Sequence, residues 1–150
     1  MPYRQPRGTV NSANSRLLAV HPVLMTGDVR QSIHFFSQLG FAVAFLDDQG
    51  SPRYAGLTRD DVEIHVQWNE LSSNESALDR PTYRFLVQDV DALYREFRAQ
   101  ASDLLAAAGT TPWHAPANTP WGTREFHVRD PSGNGLQFYQ LSPRPNLGDA

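Results

Sequence analysis

The chain has no cysteine, which excludes disulfide frameworks, thiolate nucleophiles and cysteine-ligated zinc. Charge is sparse as well: 13 basic residues stand against 16 acidic ones, for a formal net charge of −3. That balance supplies no positive field of the kind a phosphate backbone needs, and no Lys/Arg-rich run occurs, so nucleic acid is not an expected partner. No apolar stretch approaches the roughly 18 residues that span a bilayer, so no membrane partner is expected. No serine sits in a GxSxG elbow of the kind that exposes a hydrolytic nucleophile. The first fifteen residues hold neither a secretory apolar segment nor a helical pattern. They read as a flexible arm or an appended tag, and the protein is expected to be cytoplasmic. What remains, 40% hydrophobic in a chain of 150 residues, is enough for one folded domain. Its expected extent is residues 16–142, followed by a tail over residues 143–150.

Within that domain the chain repeats itself. In GDVRQSIHFF, Asp28 precedes Val29, Ser32, Ile33 and Phe36; in VQDVDALYREF, Asp89 precedes Val90, Leu93, Tyr94 and Phe97 at matching offsets. The i, i+3, i+4, i+7 spacing makes one apolar helix face, and each Asp stands where its carboxylate can accept from free N–H groups at a helix start. Apolar runs, Leu17 to Met25 and Tyr83 to Val87, lead into both segments, so each is a strand-to-helix transition. Gly40 is expected to end the first helix after Leu39, and the second is expected to run to about Ala108. Strands are expected near Phe41 to Leu46, Arg53 to Leu57 and Val62 to Trp68, and later near Thr123 to Arg129 and Leu136 to Leu141, with a weak one around Thr111 to Ala115. The order is βαβββ twice: module one over residues 16–68, a linker over 69–80 and module two over 81–142. The fold class is α+β, with the modules forming a curved mixed sheet around a concave cleft, the kind of space that takes ligands.

Strand alternation places Glu63, His65 and Gln67 on one face and Val62, Ile64, Val66 and Trp68 on the other; Glu125, His127 and Arg129 likewise share a face. These polar sets line the cleft or simply face water.

HPVLMTGDVRQSIHFFSQLGF resembles the opening strand and helix of the vicinal oxygen chelate superfamily, which includes glyoxalase I, extradiol dioxygenases and bleomycin-resistance proteins. The closing PWGTREFHVRDPSGNGLQFY is most similar to the bleomycin-resistance type, because PWG, REF and the RDP turn occur there in that order. The resemblance implies four metal slots in the enzymes of this group. Here they hold His21, Glu63 (with His65 two residues on), Tyr83 where relatives carry His, and Gln137 where Glu is usual. A phenol and an amide are poor donors for a divalent ion, so no cofactor is expected. The alternative is one divalent ion per chain held by His21 and Glu63, with help from His65 or His127; His21 otherwise reads as a strand histidine satisfied by its neighbours.

For bleomycin-resistance proteins the resemblance implies aromatic stacking on a flat cationic drug, with Phe45 and Trp121 in those roles, although Phe45 also fits a core position. Glu63, His65, Tyr83 and Gln137 complete the expected ligand-binding set, and Trp113 and His114 lie in a loop that no motif covers. The implied function is non-enzymatic binding and sequestration of a small drug or metabolite, possibly bleomycin-like. A metal-dependent lyase, isomerase or dioxygenase is the alternative. The resemblance further implies a homodimer, with exchange of the N-terminal strand between chains as one possibility.

Overall fold

Both repeated aspartates cap helices. In the computed structural model, which describes residues 14–70, 80–106 and 111–142, the Asp28 carboxylate accepts from the Gln31 N–H at 3.1 Å and that of Asp89 from the Ala92 N–H at 3.0 Å. The first module runs β1 (Val23–Thr26), α1 (Val29–Gln38), β2 (Ala42–Leu46), β3 (Tyr54–Arg59) and β4 (Val62–Trp68). The second runs β5 (Thr82–Leu86), α2 (Val90–Ala106), β6 (Ala117–Asn118), β7 (Thr123–Arg129) and β8 (Gly135–Leu141). Gly40 has φ of +87° and closes α1, since only a residue without a Cβ enters that conformation cheaply. Helix α2 is kinked at Ala101. Its expected end near Ala108, most of the linker, most of the N-terminal arm and the tail lie outside the described residues.

The strands form two four-stranded mixed sheets in the orders β1-β4-β3-β2 and β5-β8-β7-β6, so module two repeats the topology of module one. In each, the first strand pairs in parallel with the last and the remaining pairs are antiparallel. The α+β, twice-βαβββ architecture is the one the repeat indicates.

Two expected strands are corrected. The apolar run from Leu17 yields a strand only from Val23, and Leu17, Leu18 and Val20 are 100%, 90% and 91% exposed. The weak strand expected at Thr111 to Ala115 is a turn, and the ladder forms instead at Ala117–Asn118. Pro112 lies inside the expected segment and Pro116 follows it, and neither has an N–H to give a ladder.

One core joins the modules: Leu24, Phe36, Ile64 and Val66 from the first cluster with Phe97, Phe126, Leu136 and Phe138 from the second. Polar bonds fix their relative position. The buried Asp130 carboxylate accepts from the backbone N–H groups of Ser132 and Asn134 and from the Asn134 amide, which shapes the DPSGN turn. That turn then reaches into module one. Asn134 donates to the Met25 carbonyl at 2.8 Å, and the Ser132 hydroxyl donates to the Thr26 hydroxyl and accepts from the Gly27 N–H. Tyr83 adds a bond from its hydroxyl to the Val23 carbonyl.

Candidate functional site

The polar residues separate into two clusters, one on each sheet. On the first, Glu63 and His65 project from the same side of β4 while Ile64 and Val66 are fully buried on the other. Glu63 Oε2 accepts from His65 Nε2 at 2.8 Å and lies 3.1 Å from His21 Nε2, and the two imidazole rings are 4.8 Å apart. His65 Nδ1 meets the Tyr54 hydroxyl at 2.7 Å, so both of its nitrogens are engaged. His21 precedes β1, and its nitrogen is satisfied by Glu63.

Beside this triad stands Phe45. A register shift between Val43 and Phe45 puts Phe45 opposite Gly56, and its ring occupies the space a side chain at 56 would take: a Cβ there would lie 2.3 Å from Phe45 Cε1. Phe45 is not core; it is 43% exposed, stacked on Tyr54 and edge-on to His65.

The second cluster centres on Glu125, which is fully buried. Its carboxylate accepts from the Thr123 hydroxyl (2.6 Å), Arg84 (3.2 Å) and His127 Nε2 (2.7 Å). Burial pushes this carboxyl up, but the three bonds outweigh it and hold the group down at about 2. The expectation that Glu125 faces water or the cleft is therefore corrected: neighbours on the same sheet face close over it. Arg84 also donates to Gln137 Oε1 at 2.6 Å and lies over the Tyr139 ring. Trp113 stacks against both His127 and Trp121, at 5.3 and 5.6 Å between centroids, and Trp121 is 58% exposed.

The structure thus gathers His21, Glu63, His65 and Phe45 in one place and Gln137 and Trp121 in another. Tyr83 joins neither cluster. Its phenol donates to the Val23 carbonyl, and burial, with the Asp130 charge adding and Arg80 opposing, raises its pKa above the ordinary phenol value. His114 is exposed and bonded to the Thr111 carbonyl. Sequence reasoning missed Arg84 and Tyr54 and set Trp113 aside. The alternation of β5 could have marked Arg84, since its two neighbours, Tyr83 and Phe85, pack against the core and leave it on the opposite face.

The two modules match in register: Val23 pairs with His65 in module one and Arg84 with Gln137 in module two. Counting two residues back from each pair, the places of His21 and Glu63 are taken in module two by Thr82 and Gly135, which pair directly. The slots that the family resemblance implies in module two hold Tyr83 and Gln137. Among the described residues the donors that cluster are His21, Glu63 and His65, their ligand atoms all within 4.8 Å of one another. Three such donors fit a borderline divalent ion with open positions.

A separate cleft of about 460 Å³ lies between α2 and the ends of β3, β4 and β5, lined by Phe41, Val62, Leu86 and Phe97 together with Asp60 and Glu96. None of the predicted ligand-binding residues lines it.

Several solved structures share this fold. A bleomycin-binding protein complexed with bleomycin superposes with a TM-score of 0.67 at 21% identity, covering 84% of this chain and 100% of its own. The bleomycin-binding protein from bleomycin-producing Streptomyces verticillus, complexed with copper(II)-bleomycin, gives 0.63 at 29% identity, with 87% and 100% covered. A glyoxalase-related enzyme from Clostridium phytofermentans gives 0.60 at 19% identity, with 91% and 99% covered. No curated protein matches the sequence. No helix among the described residues is long and apolar enough to cross a membrane. Residues 18–138 match the family model, and the chain belongs to the Glyoxalase/Bleomycin resistance protein/Dioxygenase superfamily.

Proposed function

We propose that this protein binds and sequesters a small, flat ligand, bleomycin-like in character, without transforming it. The observation that carries this reading is two exposed rings set on polar frames: Phe45, 43% exposed, against Tyr54 and His65, and Trp121, 58% exposed, against Trp113, which in turn packs on His127. Large rings left in water on a built polar frame gain from covering a flat apolar face, and gain more if that face is cationic. The 29%-identical Streptomyces verticillus protein, in complex with copper(II)-bleomycin, supports the same ligand class. Titration with metal-free bleomycin should quench tryptophan fluorescence saturably at one drug per chain, and Trp121→Ala should weaken binding at least about tenfold, the scale of a central aromatic anchor. An unchanged affinity in that variant would remove Trp121 from the site, and no saturable signal would end the sequestration reading.

The reading includes a homodimer. Leu17, Leu18 and Val20 project almost wholly into water, as does most of Leu86 at the separate cleft. A second copy's N-terminal segment is the occupant we assign to that cleft, because exchange would bury both apolar surfaces at once. Light scattering should give a dimer, and Leu17→Asp with Leu18→Asp a monomer; a wild-type monomer would overturn this part.

A second reading, a metal-dependent enzyme, is favoured by one feature, the His21, Glu63 and His65 donor set. Those three side chains would hold the ion, which would supply Lewis-acid polarisation of a chelated oxygen. Elemental analysis after loading with Mn, Fe, Ni and Zn separates the two: about one ion per chain, lost in His21→Ala, would favour the enzyme.

A further inference from the structure

We infer that His127 is the specificity-determining residue of the second cluster, its Nδ1 accepting a hydrogen bond from an amino group at the edge of a planar ring stacked beside Trp113 and Trp121. The inference deepens the small-molecule-binding reading above and rests on it.

The tautomer of His127 is set by its neighbour. Glu125 is buried and receives bonds from Arg84 and Thr123 as well as from His127. A carboxylate so placed is ionised and can only accept, so the proton lies on His127 Nε2. In the neutral ring Nδ1 is then an acceptor, and among the described residues no group bonds to it. The ring is restrained from swinging to another partner, because it is held by Glu125 at 2.7 Å and packs against Trp113 with the two planes tilted by 30°. The backbone agrees: the His127 N–H donates to the Trp113 carbonyl at 2.7 Å, which ties the loop that carries both indoles to β7. Acceptor and aromatic wall are therefore one rigid unit.

The neighbouring groups narrow the ligand. Gln137, the cross-strand partner of His127, commits its Oε1 to Arg84 at 2.6 Å, so the group it has wholly free is its amide NH₂, a donor. Arg84 is itself committed to Glu125 and Gln137. His127 Nδ1 is thus the acceptor on this part of the sheet face, and a ring bearing an edge N–H satisfies it where a ring without one leaves it unpaired. A site built around one such acceptor discriminates by that bond.

Thionine and methylene blue test this. Both are planar tricyclic cations of the same charge; thionine carries two amino groups, and methylene blue has the same nitrogens fully methylated. The full-length protein should bind thionine about fivefold more tightly, the value of one hydrogen bond, as read by tryptophan quenching. His127→Phe keeps a flat ring against Trp113 and should abolish the preference. His127→Asn places an amide oxygen near the Nδ1 position and should retain part of it, which separates the acceptor from the bulk of the methyl groups. Thermal melts check that both variants fold, and either one alone still tests the acceptor. Equal affinity for the two dyes in the wild type, or a preference that persists in His127→Phe, would overturn the inference. If bleomycin still binds in a Trp121-dependent manner in that case, the sequestration reading stands without it. Absence of binding by both dyes and by bleomycin would remove both.

Discussion

The two sheets carry the same short pattern, Glu-x-His, and use it in opposite ways. In β4, Glu63 is partly open and bonded to two imidazoles, one of them from outside the sheet. In β7, Glu125 is sealed beneath Arg84, Thr123 and His127. Spacing decides that Glu and His share a face. The neighbours decide how open the carboxylate stays: β4 is flanked by β1 and the segment before it, whose His21 adds a second imidazole, whereas β7 lies beside a strand pair that supplies a guanidinium. One carboxylate stays partly open, and the other is buried and holds a histidine in place.

Removing each carboxylate breaks this comparison most directly. Glu125→Ala leaves the Thr123 hydroxyl and His127 Nε2 without their buried acceptor, while Arg84, itself exposed, can turn to water, and should cost about 2–3 kcal/mol. Glu63→Ala, at a half-open site, should cost no more than about 1 kcal/mol and appear in ligand or metal binding instead. Urea denaturation of the two variants reads the difference; equal losses would mean that both pairs are structural.

Acid titration gives an effect of similar size. The Glu125 carboxyl is held at about 2 when folded, below its ordinary value of 4.5. A depressed folded pKa contributes stability that is full above the unfolded value and is lost as pH falls through the folded one. Stability should therefore drop between about pH 5 and pH 2 by on the order of 3 kcal/mol. Asp130 acts in the reverse sense: burial, against its bonds from Asn134 and Ser132 and the Arg80 charge, raises its carboxyl, so acid slightly favours the fold there. The urea midpoint should follow Glu125 downward and flatten in Glu125→Gln. An unchanged midpoint across that range in the wild type would show that Glu125 is not held by its three donors.

Gly56→Ala probes the first sheet alone. The new Cβ would meet the Phe45 ring at 2.3 Å and drive it off the sheet, at a cost of about 1–3 kcal/mol for overpacking. Any ligand that depends on Phe45 should bind more weakly, while the thionine preference assigned to the second sheet should persist. Smallest is Ser132→Ala, which loses the bonds to Thr26 and Gly27 that tie the modules and should lower stability by about 1 kcal/mol. Its effect on both sites should be equal, since it touches neither.

Much of the architecture was legible because it is local. Asp28 and Asp89 cap their helices by accepting from backbone N–H groups three residues on, Gly40 ends α1 through its own backbone, and alternation in β4 buries Ile64 and Val66. What was not legible is non-local. Leu17 to Val20 reads as a strand, yet among the described residues it pairs with no strand, and apolar character without a ladder does not make a strand. Tyr83 has a family position in the ligand set, and its bond sixty residues back to the Val23 carbonyl is not written in any local pattern. Arg84 and Trp113 had no motif around them, and their importance comes entirely from what they touch.

The sequence by itself determined the repeat, the helix caps, the two apolar strand faces and the family, because each is written in spacings of a few residues along one chain. The tertiary structure alone decided which carboxylate is buried, that Thr82 and Gly135 pair with each other on the second sheet, and that His127 is held between Glu125 and Trp113. Charge and hydrogen bonding depend on distance in space, and only the packed sheets fix which side chains come within 3 Å of one another.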